Sequence, residues 1–95
     1  MTPAAPDLPN SEPSEAKVRT WCCTYLAGVT RRPVDRIDPE ASFQSLGLDS
    51  AEMLFLVYAI EDEWGVELTS DAPADHPNVA ALSRFVAARL DATRA

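Results

Sequence analysis

The sequence has few of the residues that metal sites and disulfide frameworks require. Its only histidine is His76, and its two cysteines, Cys22 and Cys23, are adjacent, so they would project from a helix about 100° apart. This arrangement disfavours a disulfide between them and lacks the cysteine spacing typical of zinc sites. We therefore expect reduced thiols, which fit a cytoplasmic protein, and no metal.

Long apolar runs and basic residues are also scarce. No stretch approaches the roughly 18 to 20 apolar residues of a membrane span, and the N-terminus lacks the basic start and apolar run of a secretory signal. Only 8 lysines and arginines stand against 15 aspartates and glutamates, which gives a net charge of −7. Phosphate backbones and anionic lipids would repel so acidic a chain. The composition therefore argues against nucleic acid and membranes as partners and favours basic protein surfaces.

The length and composition fit one small domain. At 95 residues the chain is too short for a multidomain enzyme, and its 46% of hydrophobic residues can form a modest core. Residues 1–13 contain four prolines and few large apolar side chains, which predicts a disordered leader. Residues 14–91 then form the predicted domain, and residues 92–95 form a short C-terminal tail.

Apolar spacing predicts three main helices and a short one. The first runs from Ser14 to about Gly28, the short one falls within residues 69–77, and the last follows a cap at Asn78. The long connection after the first helix carries four irregularly spaced apolar residues that we expect to pin it to the core: Ile37, Phe43, Leu46 and Leu48. The predicted fold class is all-α, a small four-helix bundle of three main helices plus one short helix with a long first loop.

The start of the second helix carries the candidate site. Asp49 is a suitable N-cap, and Glu52 three residues later completes a capping-box pattern, so Ser50 takes the first helical position. The helix is predicted to end near Trp64, before Gly65. Free backbone N–H groups and the positive end of the helix dipole would favour a phosphate attached at Ser50. A nucleophilic role is disfavoured, because the lone histidine lies in a proline-flanked segment and the chain is too short to build an oxyanion pocket as well.

Three segments together resemble a known family. The motif "FQSLGLDSAEM", followed by "EDEWG" and by "DHPNVAAL" before the last helix, resembles the phosphopantetheine attachment region of acyl carrier proteins over about residues 15–91. The resemblance implies a four-helix carrier rather than an enzyme, in which Ser50 receives 4'-phosphopantetheine from coenzyme A through a phosphopantetheinyl transferase. Acyl groups would then be held as thioesters on the terminal thiol of this arm.

The resemblance also implies particular partners. An acyl-loading enzyme and a downstream acyltransferase or synthase would act on a monomeric carrier. Trp21 and Tyr25, together with "GLDS" and "EDEWG", are similar to carriers loaded by acyl-AMP ligases in polyketide and lipopeptide pathways. The starting methionine and the short tail after Leu90 favour a free-standing carrier.

Two departures from the family pattern bear on partners and cargo. Ala51 stands where a leucine that touches partner enzymes is frequent. The four residues before Ser50 read Leu-Gly-Leu-Asp, whereas aminoacyl carriers of nonribosomal synthetases more often have two glycines before the attachment segment. This difference favours an acyl cargo. An aminoacyl (peptidyl) carrier is the alternative within this architecture, and an unmodified helical interaction module is the alternative from another class.

The second helix carries two stripes of apolar residues. A helical wheel places Met53, Leu56, Val57, Ile60 and Trp64 on the core side. The other side carries the predicted docking surface, which also includes two acidic residues at the start of the helix. The residues of this surface are Asp49, Ala51, Glu52, Leu54, Phe55, Tyr58 and Asp62. For Leu54 and Tyr58, packing under the long loop or the third helix is the alternative. Eight acidic residues and no basic ones lie within residues 49–75, which would steer basic partner surfaces toward Ser50.

Overall fold

A computed structural model of the chain describes residues 14–94 and contains four α-helices. Helix α1 spans Ser14–Thr30, α2 spans Ser50–Trp64, the single-turn α3 spans Ala72–Asp75 and α4 spans Val79–Arg94. A 3₁₀ turn lies at Val34–Arg36 in the long connection. Within residues 14–94 there is no β-strand, so the predicted all-α class with three main helices and one short helix is confirmed. The predicted disordered leader lies outside the described residues.

The ends of α1 and α4 differ from the predicted ones. Helix α1 continues past Gly28 to Thr30, whose hydroxyl donates to the Leu26 carbonyl at 2.7 Å. The helix ends because Arg31 adopts a left-handed conformation, with φ of 59°, which turns the chain out of the helix. Helix α4 reaches Arg94, so residues 92–94 of the predicted tail continue the helix.

The core lies between the three long helices. Helices α1 and α4 pack antiparallel, since the Ser14 hydroxyl at the start of α1 contacts the Asp91 carboxylate near the end of α4 at 3.4 Å. Fully buried side chains from all three helices meet between them, among them Val18, Cys22, Leu26, Leu56, Ile60, Leu82 and Val86. The buried stripe predicted on α2 is confirmed for its central residues, whereas Met53 and Trp64 are only partly buried because each lies where α2 borders an open cleft.

The two cysteines lie in this core as free thiols. Burial, with a smaller effect from the neighbouring Cys23, raises the pKa of the Cys22 thiol to about 12. Burial also raises the pKa of Cys23. Both groups therefore stay protonated at neutral pH and lack the thiolate that thiol chemistry needs.

The long first loop is pinned to the junction between α3 and α4. Its four apolar residues, Ile37, Phe43, Leu46 and Leu48, are all buried, as predicted. The Phe43 N–H donates to the Pro77 carbonyl at 2.8 Å, and the Ala80 N–H donates to the Pro39 carbonyl at 2.9 Å. An isolated antiparallel bridge joins Ser42 to Asn78. These contacts fix the loop on which the start of α2 depends.

Candidate functional site

Helix α2 begins at Ser50, directly after a complete capping box. The Glu52 N–H donates to the Asp49 carboxylate at 2.8 Å, and the Asp49 N–H donates to the Glu52 carboxylate at 3.1 Å. The predicted capping box is thus confirmed. At its other end α2 stops at Gly65, which has a φ of 69° and donates its N–H to the Glu61 carbonyl at 2.9 Å. Because Asp49 supplies the cap, the Ser50 hydroxyl is not needed to hold the helix end.

The segment that leads into Ser50 is held in place by buried residues of the long loop. The side chains of Leu46 and Leu48 are buried on either side of Gly47, whose φ of 92° lies in the region that favours glycine. The Leu48 N–H donates to the Phe43 carbonyl at 3.1 Å. The chain is therefore held at the core up to Leu48, and Ser50 follows as an exposed residue.

This position suits a hydroxyl that is to carry a phosphodiester. The backbone N–H groups of a first helical turn have no intrahelical acceptors, and the helix dipole places partial positive charge there. Both effects stabilise a phosphate joined to the first residue of the helix. Exposure leaves the oxygen open to an incoming enzyme, so the residues at this site fit a covalently attached phosphopantetheine arm.

A cleft of about 270 Å³ opens beside Ser50, between α2 and α3. Its lining residues are Ser50, Met53, Leu54, Ser70, Pro73 and Ala74. A second cleft of about 240 Å³ shares three of these, Met53, Pro73 and Ala74, and continues beneath the long loop to Phe43 and Pro77. Sequence reasoning missed these cleft walls, because they come from segments some twenty residues apart that only the tertiary structure brings together.

The structure separates the predicted docking surface into three groups. Ala51, Phe55, Tyr58 and Asp62 are exposed and follow the spacing of one helical face; we call these four residues the exposed face of α2. Phe55 is 57% exposed and Tyr58 54% exposed. Leu54 is half-buried and lines the cleft against α3, whereas Asp49 and Glu52 bond to each other in the capping box.

The acidic segment also divides into structural and exposed carboxylates. Glu61 accepts a hydrogen bond from the Leu68 N–H at 2.9 Å and so ties the end of α2 to the chain that follows it. The other acidic side chains that follow are exposed and take part in no ion pair within residues 14–94: Asp62, Glu63, Glu67, Asp71 and Asp75. Asp71 and Asp75 flank the α3 segment that shares the cleft beside Ser50, whereas Asp62, Glu63 and Glu67 lie near the opposite end of α2.

His76, the only histidine of the chain, packs against an aromatic ring. Its ring stacks on Phe85 with centroids 4.4 Å apart, which places it at the junction between α3 and α4. No group of three or more metal-ligating side chains is assembled in the described part of the chain. No helix there is both long and apolar enough to cross a membrane.

Comparison with known proteins identifies the family. The pattern of the phosphopantetheine attachment site family matches residues 21–86, which is more than half of the chain. The chain belongs to this family of phosphopantetheine-binding carrier proteins. Its members carry 4'-phosphopantetheine on a serine and act as carriers rather than as catalysts.

Similar proteins include both large synthases and small carriers. The chain is 31% identical over 86 residues to the non-reducing polyketide synthase nscA of Neosartorya fischeri, covering 90% of this chain and 5% of that protein. The chain thus spans only a twentieth of that synthase. It is also 31% identical over 72 residues to the acyl carrier protein TtuC of Teredinibacter turnerae, covering 76% and 83% of the two chains.

A solved structure with a related fold is that of a free-standing peptidyl carrier protein from Acinetobacter baumannii. The TM-score is 0.77 at 29% sequence identity, and the match covers 83% of this chain and 99% of that one. Similarity to an acyl carrier and to a peptidyl carrier together places the chain in the carrier class without distinguishing the two cargoes.

Proposed function

We propose that Ser50 is the phosphopantetheine attachment site and that the chain carries acyl intermediates as thioesters in polyketide, lipopeptide or related specialised biosynthesis. The supporting observation is the position of Ser50 as the exposed first residue of α2 behind a capping box made by other residues. Five serines lie in the matched region, and the other four do not begin a helix: Ser42, Ser45, Ser70 and Ser83.

Those four serines also have other surroundings. Ser83 is fully buried within α4. Ser45 bonds to Ser42 twice, through its N–H at 3.0 Å and its hydroxyl at 2.8 Å. Ser70 is exposed and lines the cleft beside Ser50, but it lies in the segment before the single-turn α3 and does not begin a helix. Among the five serines of the matched region, Ser50 alone combines exposure with the N-terminal dipole of a long helix.

The attachment reaction requires few groups from the carrier itself. A phosphopantetheinyl transferase would join the Ser50 oxygen to the pantetheine-bearing phosphorus of coenzyme A. The bond from that phosphorus to the bridging oxygen of the pyrophosphate breaks, adenosine 3',5'-bisphosphate leaves, and the hydroxyl proton passes to the enzyme. Once bound, the arm supplies a thiol for thioester chemistry. The carrier contributes a fixed, exposed oxygen and the positive end of α2, which stabilises the resulting phosphodiester.

The acyl cargo is the favoured one because of the Leu-Gly-Leu-Asp approach to Ser50. The similarity to TtuC, an acyl carrier protein, supports the same assignment. An aminoacyl cargo is the second candidate, and its support is the similarity to the free-standing peptidyl carrier. Loading assays distinguish the two, because an acyl carrier accepts an acyl group from an acyl-AMP ligase and an aminoacyl carrier accepts an amino acid from an adenylating enzyme.

The experiment that tests the carrier function is intact mass spectrometry. The chain is incubated with coenzyme A and a promiscuous phosphopantetheinyl transferase, and we expect its mass to rise by one phosphopantetheine group. A second helical carrier of known activity serves as the positive control for the enzyme. A chain that stays unmodified while the control is labelled would identify an unmodified helical interaction module.

The proposed partners are the transferase, a loading enzyme such as an acyl-AMP ligase, and a downstream acyltransferase or synthase. The exposed face of α2 begins one residue after Ser50, so an enzyme that reaches the serine can contact this face. Two exposed aromatic rings supply the apolar contact area, and the exposed carboxylates nearby favour a basic partner surface.

Reversing the charge of Asp62 should slow partner reactions without unfolding the carrier. Asp62 is exposed and its carboxylate is held by no hydrogen bond in the described structure, so Asp62→Lys should change the free energy of unfolding by less than about 1 kcal/mol. Transfer of the arm should slow, and the wild-type rate should fall as salt is added. Rates are measured at low and high salt.

The matched control is Asp35→Lys, which makes the same change in net charge at an exposed position in the long loop. Glu52 is less suitable for this test, because its carboxylate is part of the capping box and its replacement would also weaken the helix. Equal slowing by both reversals, or a wild-type rate that ignores salt, would contradict electrostatic docking on α2.

Replacing Phe55 should affect partners more than stability. Its ring is 57% exposed, so Phe55→Ala should lower the free energy of unfolding by less than about 1 kcal/mol. An exposed aromatic residue can nevertheless dominate a small interface, so use by the loading enzyme should weaken. Thermal denaturation and a loading assay measure the two effects, and strong destabilisation by Phe55→Ala would show that the ring belongs to the core.

A further inference from the structure

Three arginines lie on either side of an exposed valine in the turn that follows α1. Arg31, Arg32 and Arg36 are exposed, and Val34 between them is 50% exposed. Within residues 14–94, Val34 is the one large hydrophobic side chain that is exposed outside α2. We call Arg31, Arg32, Val34 and Arg36 the basic turn. These four residues belong neither to the attachment site nor to the exposed face of α2.

The backbone of the basic turn is held in one shape. The Arg36 N–H donates to the Pro33 carbonyl at 2.9 Å, and the Ile37 N–H donates to the Val34 carbonyl at 3.2 Å. The buried side chain of Ile37 anchors one end of the turn in the core, and the Arg32 N–H ties the other end to a carbonyl of α1 at 3.1 Å. A partner would therefore have to order little more than the side chains, which lowers the entropic cost of binding.

The arginines of the basic turn are not neutralised by carboxylates of the described structure. Two ion pairs lie within residues 14–94, and both involve other arginines, Arg19 and Arg84. Residues 31–36 contain three arginines and one carboxylate, the exposed Asp35, so this segment has a net charge of +2. The turn therefore presents positive charge to the solvent.

The next carboxylates of the loop have other contacts. The Asp38 carboxylate accepts the Glu40 N–H at 2.9 Å. The Ala80 N–H donates to the Pro39 carbonyl at 2.9 Å, which holds this part of the loop at the start of α4. The basic turn is bonded instead to the end of α1. Neither Asp38 nor Glu40 forms an ion pair with it.

The charge of the basic turn indicates the chemistry of its partner. The guanidinium group of arginine binds carboxylates through paired hydrogen bonds. The net charge of −7 opposes attraction to an extended polyanion such as nucleic acid or an anionic membrane. A protein segment with a few carboxylates around one apolar side chain can instead meet the arginines and Val34 at contact distance, where distant charges are screened.

We propose that the basic turn binds an acidic segment of a partner protein, with carboxylates on its arginines and an apolar side chain on Val34. The carrier then has two docking surfaces of opposite charge preference, since the exposed face of α2 favours a basic partner. Binding at the basic turn does not depend on modification of Ser50. Failure of this proposal and failure of the proposed carrier function are therefore distinguishable.

Nuclear magnetic resonance tests the proposal on the unmodified chain. The probe is a synthetic peptide of six glutamates around a central leucine, titrated at low salt into the isotopically labelled chain. We expect dose-dependent shifts of backbone amide signals centred on residues 31–37. Arg32→Glu should weaken peptide binding about fivefold, and the triple variant Arg31→Glu, Arg32→Glu, Arg36→Glu should abolish it. Asp35→Lys should tighten it, because this change removes the one carboxylate of the turn.

The matched control is Arg84→Glu, which reverses an exposed arginine of α4 and should bind the peptide like the wild type. Circular dichroism confirms that each variant keeps its helices. A second peptide with glycine in place of the leucine tests the apolar contact. It should bind the wild type more weakly than the first peptide does, and Val34→Ser should remove that difference.

Three results would overturn the proposal. The first is the absence of amide shifts at the basic turn, and the second is equal weakening by Arg32→Glu and Arg84→Glu. The third is tighter binding of a short DNA duplex than of the acidic peptide at the same residues, which would assign the turn to a phosphate backbone. Equal binding of the leucine and glycine peptides by the wild type would overturn the contact with Val34.

Discussion

Replacing Ser50 with alanine should leave a folded carrier that gains no phosphopantetheine. The substitution removes the only side-chain hydroxyl of the matched region that combines exposure with the first turn of a long helix. After incubation with transferase and coenzyme A, the mass of Ser50→Ala should stay that of the unmodified chain. Loss of labelling should be complete, since no other hydroxyl of the matched region can take the place of the Ser50 oxygen at the helix start.

The Ser50→Ala variant should keep its fold because other residues cap the start of α2. Asp49 and Glu52 form the capping box through two hydrogen bonds, and Ser50 is exposed. We expect the free energy of unfolding to change by less than about 0.5 kcal/mol. Ser70→Ala is the matched control, since Ser70 is an exposed serine that lines the same cleft. It should be labelled like the wild type, and a labelled Ser50→Ala would disprove the assignment.

Replacing Phe43 with alanine should be among the most damaging single changes to the fold. Its side chain is 1% exposed and is the largest of the fully buried ones. Phe/Trp→Ala changes in cores cost about 3 to 5 kcal/mol, which is a large part of the 5 to 15 kcal/mol that holds a typical domain together. Denaturant unfolding measures the loss.

Phe43 also connects core packing to the position of Ser50. Its N–H donates to the Pro77 carbonyl, and its carbonyl accepts the N–H groups of Leu46 and Leu48. Loss of the ring should therefore loosen the segment that leads into α2 and slow the attachment reaction. Phe55→Ala is a matched comparison of the same residue type, and equal destabilisation by the two substitutions would contradict the assignment of one ring to the core and the other to the surface.

The parts of the structure that local chemistry determines were predictable from the sequence. Helix α2 has the expected start and end, because a capping box at Asp49 and a left-handed glycine at Gly65 act within a few residues. The apolar residues of the long loop are buried as expected, because a loop that carries large hydrophobic side chains must place them in the core. The exposed position of Ser50 follows from the same local features.

Other features depend on contacts between distant segments. Helix α1 ends at the left-handed Arg31 rather than near Gly28, and the spacing of apolar residues contains no signal for that conformation. Leu54 lines the cleft against α3, which is the alternative that the sequence left open for it, because residues 70–74 fold back beside it. The open cleft between α1 and the end of α2 likewise needs the packing of two helices separated by the long loop.

The central claim is that Ser50 carries the prosthetic arm, and peptide mapping by tandem mass spectrometry tests it most directly. The wild-type chain is incubated with coenzyme A and the transferase, digested, and searched for the residue that bears the added group. We predict one group per chain, attached at Ser50, with the Ser42, Ser45 and Ser70 positions unmodified. A group located on any other residue, or a chain that stays unmodified while a known carrier is labelled in the same reaction, would contradict the claim.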